Sequence, residues 1–239
     1  MRKNLDVAGR TCILYENDEA NVCLIQPVDE HDLQALDGEV EWIKLLAPQT
    51  PFMLAAFLIK DWNDELSPWT APAVFGNQAF GAGANRTLSF IEEALLQKLG
   101  ETIKHDRPVT YYMGGYSLAG LFSLWAGYQT EGLSGVAAVS PSVWFPGWDD
   151  YAQTHAMRTP AVYLSLGDRE EKTRNKTMAA VGERIRGQHE LLQKADAVKH
   201  CALEWNPGNH FVDVDIRMAK GFAWLLNNTL NEQPRDLTE

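Results

Sequence analysis

The sequence is poor in the features that mark several large classes of protein. Only three cysteines occur among its 239 residues. With no Cys-x-x-Cys pair, they exclude a disulfide framework and predict free thiols in a reducing compartment. There is no run of about 18 apolar residues, so no membrane span is expected. No apolar segment follows the basic start of the chain, and we therefore expect no secretory signal and a cytoplasmic protein.

Positive charge is scarce as well. The chain has 21 lysines and arginines against 32 aspartates and glutamates, a formal net charge of −11. No basic stripe runs along it, so the sequence predicts no nucleic-acid partner. The negative net charge of the protein would repel an anionic substrate unless a local cationic pocket overrides that repulsion. Motifs for phosphate loops are absent, and Gly81-x-Gly83 lacks the third glycine of a dinucleotide site.

The apolar residues indicate how the chain is organised. Its length and its 45% hydrophobic content predict a single domain over residues 1–239. Short, nearly continuous apolar runs are typical of strands that are buried on both faces. These runs are Val22–Val28, Glu39–Ala47, Met53–Lys60, Val109–Tyr116, Gly135–Val139, Ala161–Ser165 and Cys201–Trp205.

Helical patterns lie between most of these strands. They cover Thr87–Leu99, Leu118–Tyr128, Asn175–Lys194 and Val212–Asn227, and Ser89 with Glu92 matches a capping box. Strands that alternate with helices predict an α/β fold with a mostly parallel sheet and helices on both faces. The first strands follow one another without a helix, so we expect an antiparallel edge on the N-terminal side.

Ser117 lies where a predicted strand meets a predicted helix, in Gly115-Tyr116-Ser117-Leu118-Ala119-Gly120. This spacing matches the Gly-x-Ser-x-small nucleophile elbow, in which a sharp turn presents the serine hydroxyl above the sheet. The turn needs small residues two positions before and after the serine. An acid and then a histidine should follow in later loops. His210, in the loop Asn206–Phe211 after the last predicted strand, meets that order.

These motifs together resemble the esterase family of the α/β-hydrolase fold that includes the esterase D-like and enterochelin-esterase-like enzymes. The resemblance covers roughly residue 51 to the end and rests on GYSLAGLF, SPSVWFPGW, LSLGDREEKT and NPGNHF. It implies hydrolysis of a small-molecule carboxylic ester or thioester by a serine nucleophile, without a metal or organic cofactor. It also allows acyl transfer to an alcohol. The alternative from another class is an inactive, hydrolase-like binding module. The oligomeric state stays open.

The acid of the triad has more than one candidate. In this fold the acid often lies three residues after a glycine at the strand end, and Glu170 holds that position after Gly167. Asp168 lies nearer the strand end and is the second candidate, although it can instead accept backbone N–H bonds in the turn. Glu171 is the third.

The remaining predictions concern the oxyanion hole and the pocket. The expected oxyanion donors are the backbone N–H groups of Leu118 and Trp62. Leu118 directly follows the serine, and Trp62 lies in the loop after the predicted strand Met53–Lys60. Aromatic residues are frequent in the long loop after Met53–Lys60 and in the segment after Gly135–Val139. Trp69, Phe80 and Trp144 from these segments are therefore expected to bind an apolar or ring-bearing part of the substrate.

Overall fold

A mostly parallel β-sheet of eight strands forms the centre of the computed structural model, which describes residues 1–103 and 107–229. The strands are β1 (Arg2–Val7), β2 (Arg10–Tyr15), β3 (Val22–Val28), β4 (Met53–Leu58), β5 (Thr110–Tyr116), β6 (Gly135–Val139), β7 (Ala161–Gly167) and β8 (His200–Asn206). Their order is β1-β2-β4-β3-β5-β6-β7-β8. The six strands β3 to β8 are parallel to one another, and β1 and β2 form the antiparallel edge. The predicted α/β architecture is confirmed.

Helices cover both faces of this sheet. They are α1 (Leu36–Leu46), α2 (Trp62–Glu65), α3 (Ala84–Phe90), α4 (Leu96–Thr102), α5 (Leu118–Gln129), α6 (Trp148–Thr154), α7 (Lys176–Ala179), α8 (Val181–Gln193) and α9 (Val214–Thr229). A π-helical segment joins α3 to α4, and Glu170–Lys172 forms a 3-10 turn. Apolar side chains of α1 and α9 are buried on one face, and those of α3, α5 and α8 on the other.

The N-terminal part of the fold differs from the prediction in two ways. The segment Glu39–Ala47, predicted as a strand, belongs to α1, in which Leu36, Glu39, Val40 and Ile43 are buried at helical spacing. The antiparallel edge is made by the hairpin of β1 and β2, which the apolar pattern did not reveal. Its turn residues Ala8 and Gly9 both have positive φ, 49° and 78°, as a tight two-residue hairpin requires.

Smaller features also follow from this arrangement. The predicted capping box is wrong, because Ser89 lies inside α3 and Glu92 inside the π-helical segment. Cys12 and Cys23 are buried free thiols, and Cys201 is a half-buried free thiol. In the part of the chain that the structure describes, none of the helices has the length and apolar character needed to cross a bilayer.

The carboxyl ends of the parallel strands meet at one edge of the sheet. The chain leaves β5 at Tyr116, β7 at Gly167 and β8 at Asn206. The loops that follow these strands carry Ser117, Glu170 and His210. Since open α/β sheets bind ligands at this edge, the topology brings the three predicted residues to the position where a site is expected.

Candidate active site

Ser117 occupies a strained turn between β5 and α5. Its φ is 59° and its ψ is −120°, a region that residues other than glycine rarely adopt. The turn is held because Ser117 N–H donates to Val139 O at 3.1 Å, while Ser142 N–H donates to Ser117 O at 3.0 Å. The neighbouring strand β6 and its loop therefore fix the conformation that turns the serine side chain out of the sheet.

The small residues around Ser117 are a steric requirement of this turn. A Cβ atom added to Gly115 would lie 2.3 Å from the carbonyl oxygen of Ala119. One added to Gly120 would lie 2.9 Å from the carbonyl oxygen of Gly115. Both distances are shorter than real Cβ contacts, so the start of α5 can pack against the end of β5 only with glycine at these two positions.

His210 and Glu170 form a short hydrogen bond in the site. His210 Nδ1 lies 2.6 Å from Glu170 Oε2. The Glu170 side chain is 5% exposed and the His210 side chain 27%. An ionised carboxylate can only accept, so Nδ1 carries the proton. In the neutral imidazole the other ring nitrogen, Nε2, is then the acceptor, which is the form that a general base requires.

The second oxygen of Glu170 is also saturated with donors. Oε1 accepts from Ser140 Oγ at 2.7 Å and from Gly167 N–H at 2.8 Å, and Arg217 Nη1 lies 3.3 Å away. Burial alone would raise the pKa of Glu170, but the contact with His210 and the hydrogen bonds from Ser140 and Gly167 hold that pKa below its usual value. Glu170 is therefore a carboxylate at neutral pH although it is buried.

Arg217 and Tyr116 connect the three loops, and sequence reasoning missed both. The Arg217 side chain is 2% exposed and pairs with Glu170. Its Nη2 donates to Pro207 O at 2.7 Å, and its Nη1 donates to Tyr116 OH at 3.1 Å. The Tyr116 hydroxyl donates in turn to His210 O at 2.9 Å. A single arginine within the apolar face of α9 was the available signal for this network.

The other two acid candidates lie apart from His210. Asp168 is exposed, and its Oδ1 accepts from Gly208 N–H at 2.9 Å, which ties the loop after β7 to the loop after β8. Glu171 pairs with Arg186 at 3.2 Å on the surface. Among the three candidates, only Glu170 contacts the imidazole.

A cavity of about 540 Å³ opens above Ser117 and His210. Its lining includes Trp144 and two exposed phenylalanines, Phe75 and Phe211, with 50% and 85% of their surface accessible. Within the described residues, Ser117 Oγ makes its hydrogen-bond contact with Ser142 Oγ, at 3.4 Å, rather than with the imidazole. Cavities of similar volume elsewhere, such as the one between α6 and α8, contain neither residue.

The structure brings together only part of the predicted pocket. Trp144 lines the cavity, and Phe80 lies behind it with ring centroids 6.1 Å apart. Trp69 does not line the cavity, because its Nε1 donates to Pro146 O at 2.8 Å and its ring packs among other aromatic residues. Leu118 is the first residue of α5, and Trp62 the first of α2. The first N–H groups of a helix have no partner within it.

Metal ligation has no visible basis in this site. Across residues 1–103 and 107–229, no group of three or more His, Cys, Asp or Glu side chains could hold a metal ion. The carboxylate and the imidazole that face the cavity bind each other instead.

Several solved structures share this fold. The siderophore hydrolase EstA of Aspergillus nidulans matches with a TM-score of 0.75 at 16% identity, over 95% of this chain and 94% of that chain. An IroE-like serine hydrolase of Shewanella oneidensis matches with a TM-score of 0.76 at 13% identity, over 95% and 80%. The siderophore hydrolase EstB of Aspergillus nidulans matches with 0.71 at 17%, over 93% of each.

No family model matches the chain, and no curated protein sequence does either. At such low identities the structural matches establish the fold. The chain therefore has the α/β-hydrolase fold, and its resemblance to the enterochelin-esterase-like group is confirmed at the level of that fold.

Proposed function

We propose that this protein is a serine esterase that hydrolyses a carboxylic ester or thioester through an acyl-enzyme. The observation that carries the proposal is the contact between His210 Nδ1 and the buried carboxylate of Glu170, beside a cavity that Ser117 also lines. A strained serine, an imidazole held through its Nδ1 and an ionised acid are the parts that acyl transfer needs.

In the proposed acylation, Ser117 turns from Ser142 towards His210. His210 Nε2 takes the hydroxyl proton while Ser117 Oγ forms a bond to the acyl carbon, and the carbonyl electron pair moves onto its oxygen. The bond from carbon to the leaving alkoxy oxygen then breaks. The departing alcohol takes the proton from Nε2, and Glu170 stabilises the imidazolium between these steps.

Deacylation repeats these steps with water. Nε2 takes a proton from the water, whose oxygen bonds to the acyl carbon, and Ser117 Oγ leaves and regains that proton. The net change is one ester and one water converted to one acid and one alcohol. No cofactor is needed for this balance.

The oxyanion requires donors at the edge of the cavity. We assign one to the N–H of Leu118, because the first N–H groups of α5 are free of helical partners and the helix dipole favours negative charge there. The N–H of Trp62, at the start of α2, is proposed as the second. Removal of one such donor typically costs a factor on the order of 10² to 10³ in kcat.

Steady-state turnover of an ester panel tests the proposal. The panel varies acyl length and leaving group, adds thioesters, and includes siderophore esters because two structurally similar proteins are siderophore hydrolases. We expect turnover that the folded Ser117→Ala variant lacks. The exposed Ser89 gives the matched control, since Ser89→Ala should keep full activity.

Two other results would redirect the proposal. Faster acyl transfer to an added alcohol than to water would indicate an acyltransferase on the same residues. A folded protein that is inert to every ester and thioester would contradict an enzyme and favour a binding module.

A further inference from the structure

Two cationic side chains line the cavity that holds Ser117 and His210. They are Arg169 and Lys172, and both are exposed. Within the described residues, neither forms an ion pair, whereas several surface cations elsewhere do, including Arg186 with Glu171. Two unpaired cations at one cavity are notable in a chain with a net charge of −11.

Backbone hydrogen bonds fix the positions of Arg169 and Lys172. Arg169 N–H donates to Gly208 O at 3.1 Å, and Lys172 N–H donates to Arg169 O at 3.1 Å across the 3-10 turn. Residues three apart in a 3-10 turn lie on the same side. Arg169 and Lys172 therefore project together, and Glu170 between them turns inward to His210.

Nearby acids do not neutralise this pair. Among residues 1–103 and 107–229, the only acid that lines the cavity is Glu170, and it already pairs with His210 and Arg217. The carboxylate of Asp168 accepts from Gly208 N–H, and Glu171 pairs with Arg186. Two cations that form no ion pair with these acids therefore lie at the rim of the cavity, and low-dielectric walls concentrate the field of such charges.

Apolar side chains line the same cavity. Trp144, Met178 and Val181 line it together with the exposed rings of Phe75 and Phe211. An occupant that satisfies both parts has an apolar body and a negative charge. A neutral ester would leave the two cations without a partner, and a small polar anion would leave the rings in contact with water.

We infer that the preferred substrate is an anionic ester, one that carries a carboxylate or similar negative group together with an apolar part, and that Arg169 and Lys172 bind that negative group. This inference rests on the proposed function and extends it to a class of substrate. Both residues act on specificity, and neither takes part in proton transfer.

Matched ester pairs test this preference. Nitrophenyl hexanoate and the nitrophenyl monoester of adipate differ by a terminal carboxylate on the acyl side, and benzyl and carboxybenzyl hexanoate differ on the alcohol side. We expect a higher kcat/KM for the charged member of at least one pair. Arg169→Gln with Lys172→Gln should lower that value by roughly fivefold for each cation, the strength of one exposed ion pair, and change the value for the neutral esters by a much smaller factor.

A variant of equal net charge provides the control. Arg174→Gln with Lys176→Gln removes two cations from the same segment, neither of which lines the cavity, and should keep the preference. The preference should also weaken as salt is added. Equal kcat/KM within both pairs, or an equal loss in the control variant, would overturn the inference while turnover of neutral esters still supports the esterase.

A binding measurement keeps the inference testable apart from turnover. Phenylbutyrate and its uncharged amide can be titrated calorimetrically into the Ser117→Ala protein. The carboxylate should bind more tightly, and Arg169→Gln with Lys172→Gln should remove the difference. Equal affinity for acid and amide contradicts an anionic preference, whether or not the esterase itself is active.

Discussion

His210 Nδ1 lies 2.6 Å from one oxygen of Glu170, while Ser140 and Gly167 donate to the other oxygen at 2.7 and 2.8 Å. The carboxylate is therefore fixed in position before any substrate binds. A base oriented in this way needs no rearrangement of its acid during the reaction. In the proposed mechanism Glu170 is the acid, and its contacts predict different effects for changes at Glu170 and at Asp168.

Glu170→Gln should reduce kcat strongly, and it should also lower stability, because the buried Arg217 loses the carboxylate with which it pairs. The amide keeps the size of the side chain but removes the charge that stabilises the imidazolium, and comparable changes in known triads cost on the order of 10⁴ in kcat. Asp168→Asn keeps an acceptor for Gly208 N–H and should stay within about threefold of the parent. Measured kcat and Tm for both variants decide this. A dead Asp168→Asn beside an active Glu170→Gln would reverse the assignment.

Gly115→Ala should destabilise the elbow. The new Cβ would lie 2.3 Å from the carbonyl oxygen of Ala119, so β5 and α5 must separate, at a cost of about 2 kcal/mol or more. Gly100 in α4 is the matched control, because nothing lies within 4 Å of its Cβ position. Gly100→Ala should stabilise by about 0.5–1 kcal/mol. Denaturant unfolding measures both, and equal effects would contradict the steric account.

Arg217→Met should cost about 3 kcal/mol or more in the free energy of unfolding, because it leaves the buried Glu170 charge and Pro207 O without this donor. The exposed pair of Arg158 with Glu131, at 3.8 Å, gives a comparison. Arg158→Met should cost less than about 1 kcal/mol. In the folded Arg217→Met protein, kcat should also fall, since Arg217 helps to hold the histidine loop. Similar stability losses in the two variants would argue against a buried network.

A second buried acid predicts how stability depends on pH. Glu39 on α1 faces Gln26 on β3, whose Nε2 donates to it at 3.2 Å. Burial raises the pKa of Glu39 to about 8, and the nearby Asp32 and Asp215 charges add to the rise. The folded protein therefore holds Glu39 protonated, so its contribution to stability is complete below the usual pKa of 4.5 and is lost as pH rises towards 8.

Glu39→Gln should flatten this dependence. The amide stays neutral at every pH, so the variant should lose less stability than the parent between pH 5 and pH 8.5. We expect the two changes in Tm to differ by about 4 °C or more, since 1 kcal/mol corresponds to about 2–4 °C for a chain of this size. The other acids titrate equally in both proteins, so their contributions cancel in the difference between the two pH dependences. Parallel Tm curves would show that Glu39 ionises without cost.

Local patterns in the sequence indicated the central sheet and the position of the site. Continuous apolar runs mark β3 to β7 because both faces of these strands are largely buried, and a shorter run marks the half-buried edge strand β8. The spacing of Gly115, Ser117 and Ala119 is a local steric constraint, so it can be read without a structure. The catalytic roles of Ser117 and His210 remain predictions that the mutants above test.

Other features depend on contacts between distant segments. Val40 and Ile43 gave α1 the appearance of a strand, and only burial against α9 identifies the helical face. The hairpin of β1 and β2 was missed because Ala8 is an unusual residue for a positive φ. Arg217 is 47 residues from Glu170 in sequence, so no spacing rule could pair them before the fold was known.

The most direct test of the account is the site of covalent labelling by a serine-directed fluorophosphonate. After reaction of the intact protein and proteolysis, mass spectrometry should locate the adduct on Ser117 in the peptide that spans β5 and α5. Labelling should disappear in folded Ser117→Ala and slow strongly in folded Glu170→Gln. Full labelling of folded Ser117→Ala, or an adduct on another residue of the parent protein, would contradict the claim that Ser117 is the nucleophile.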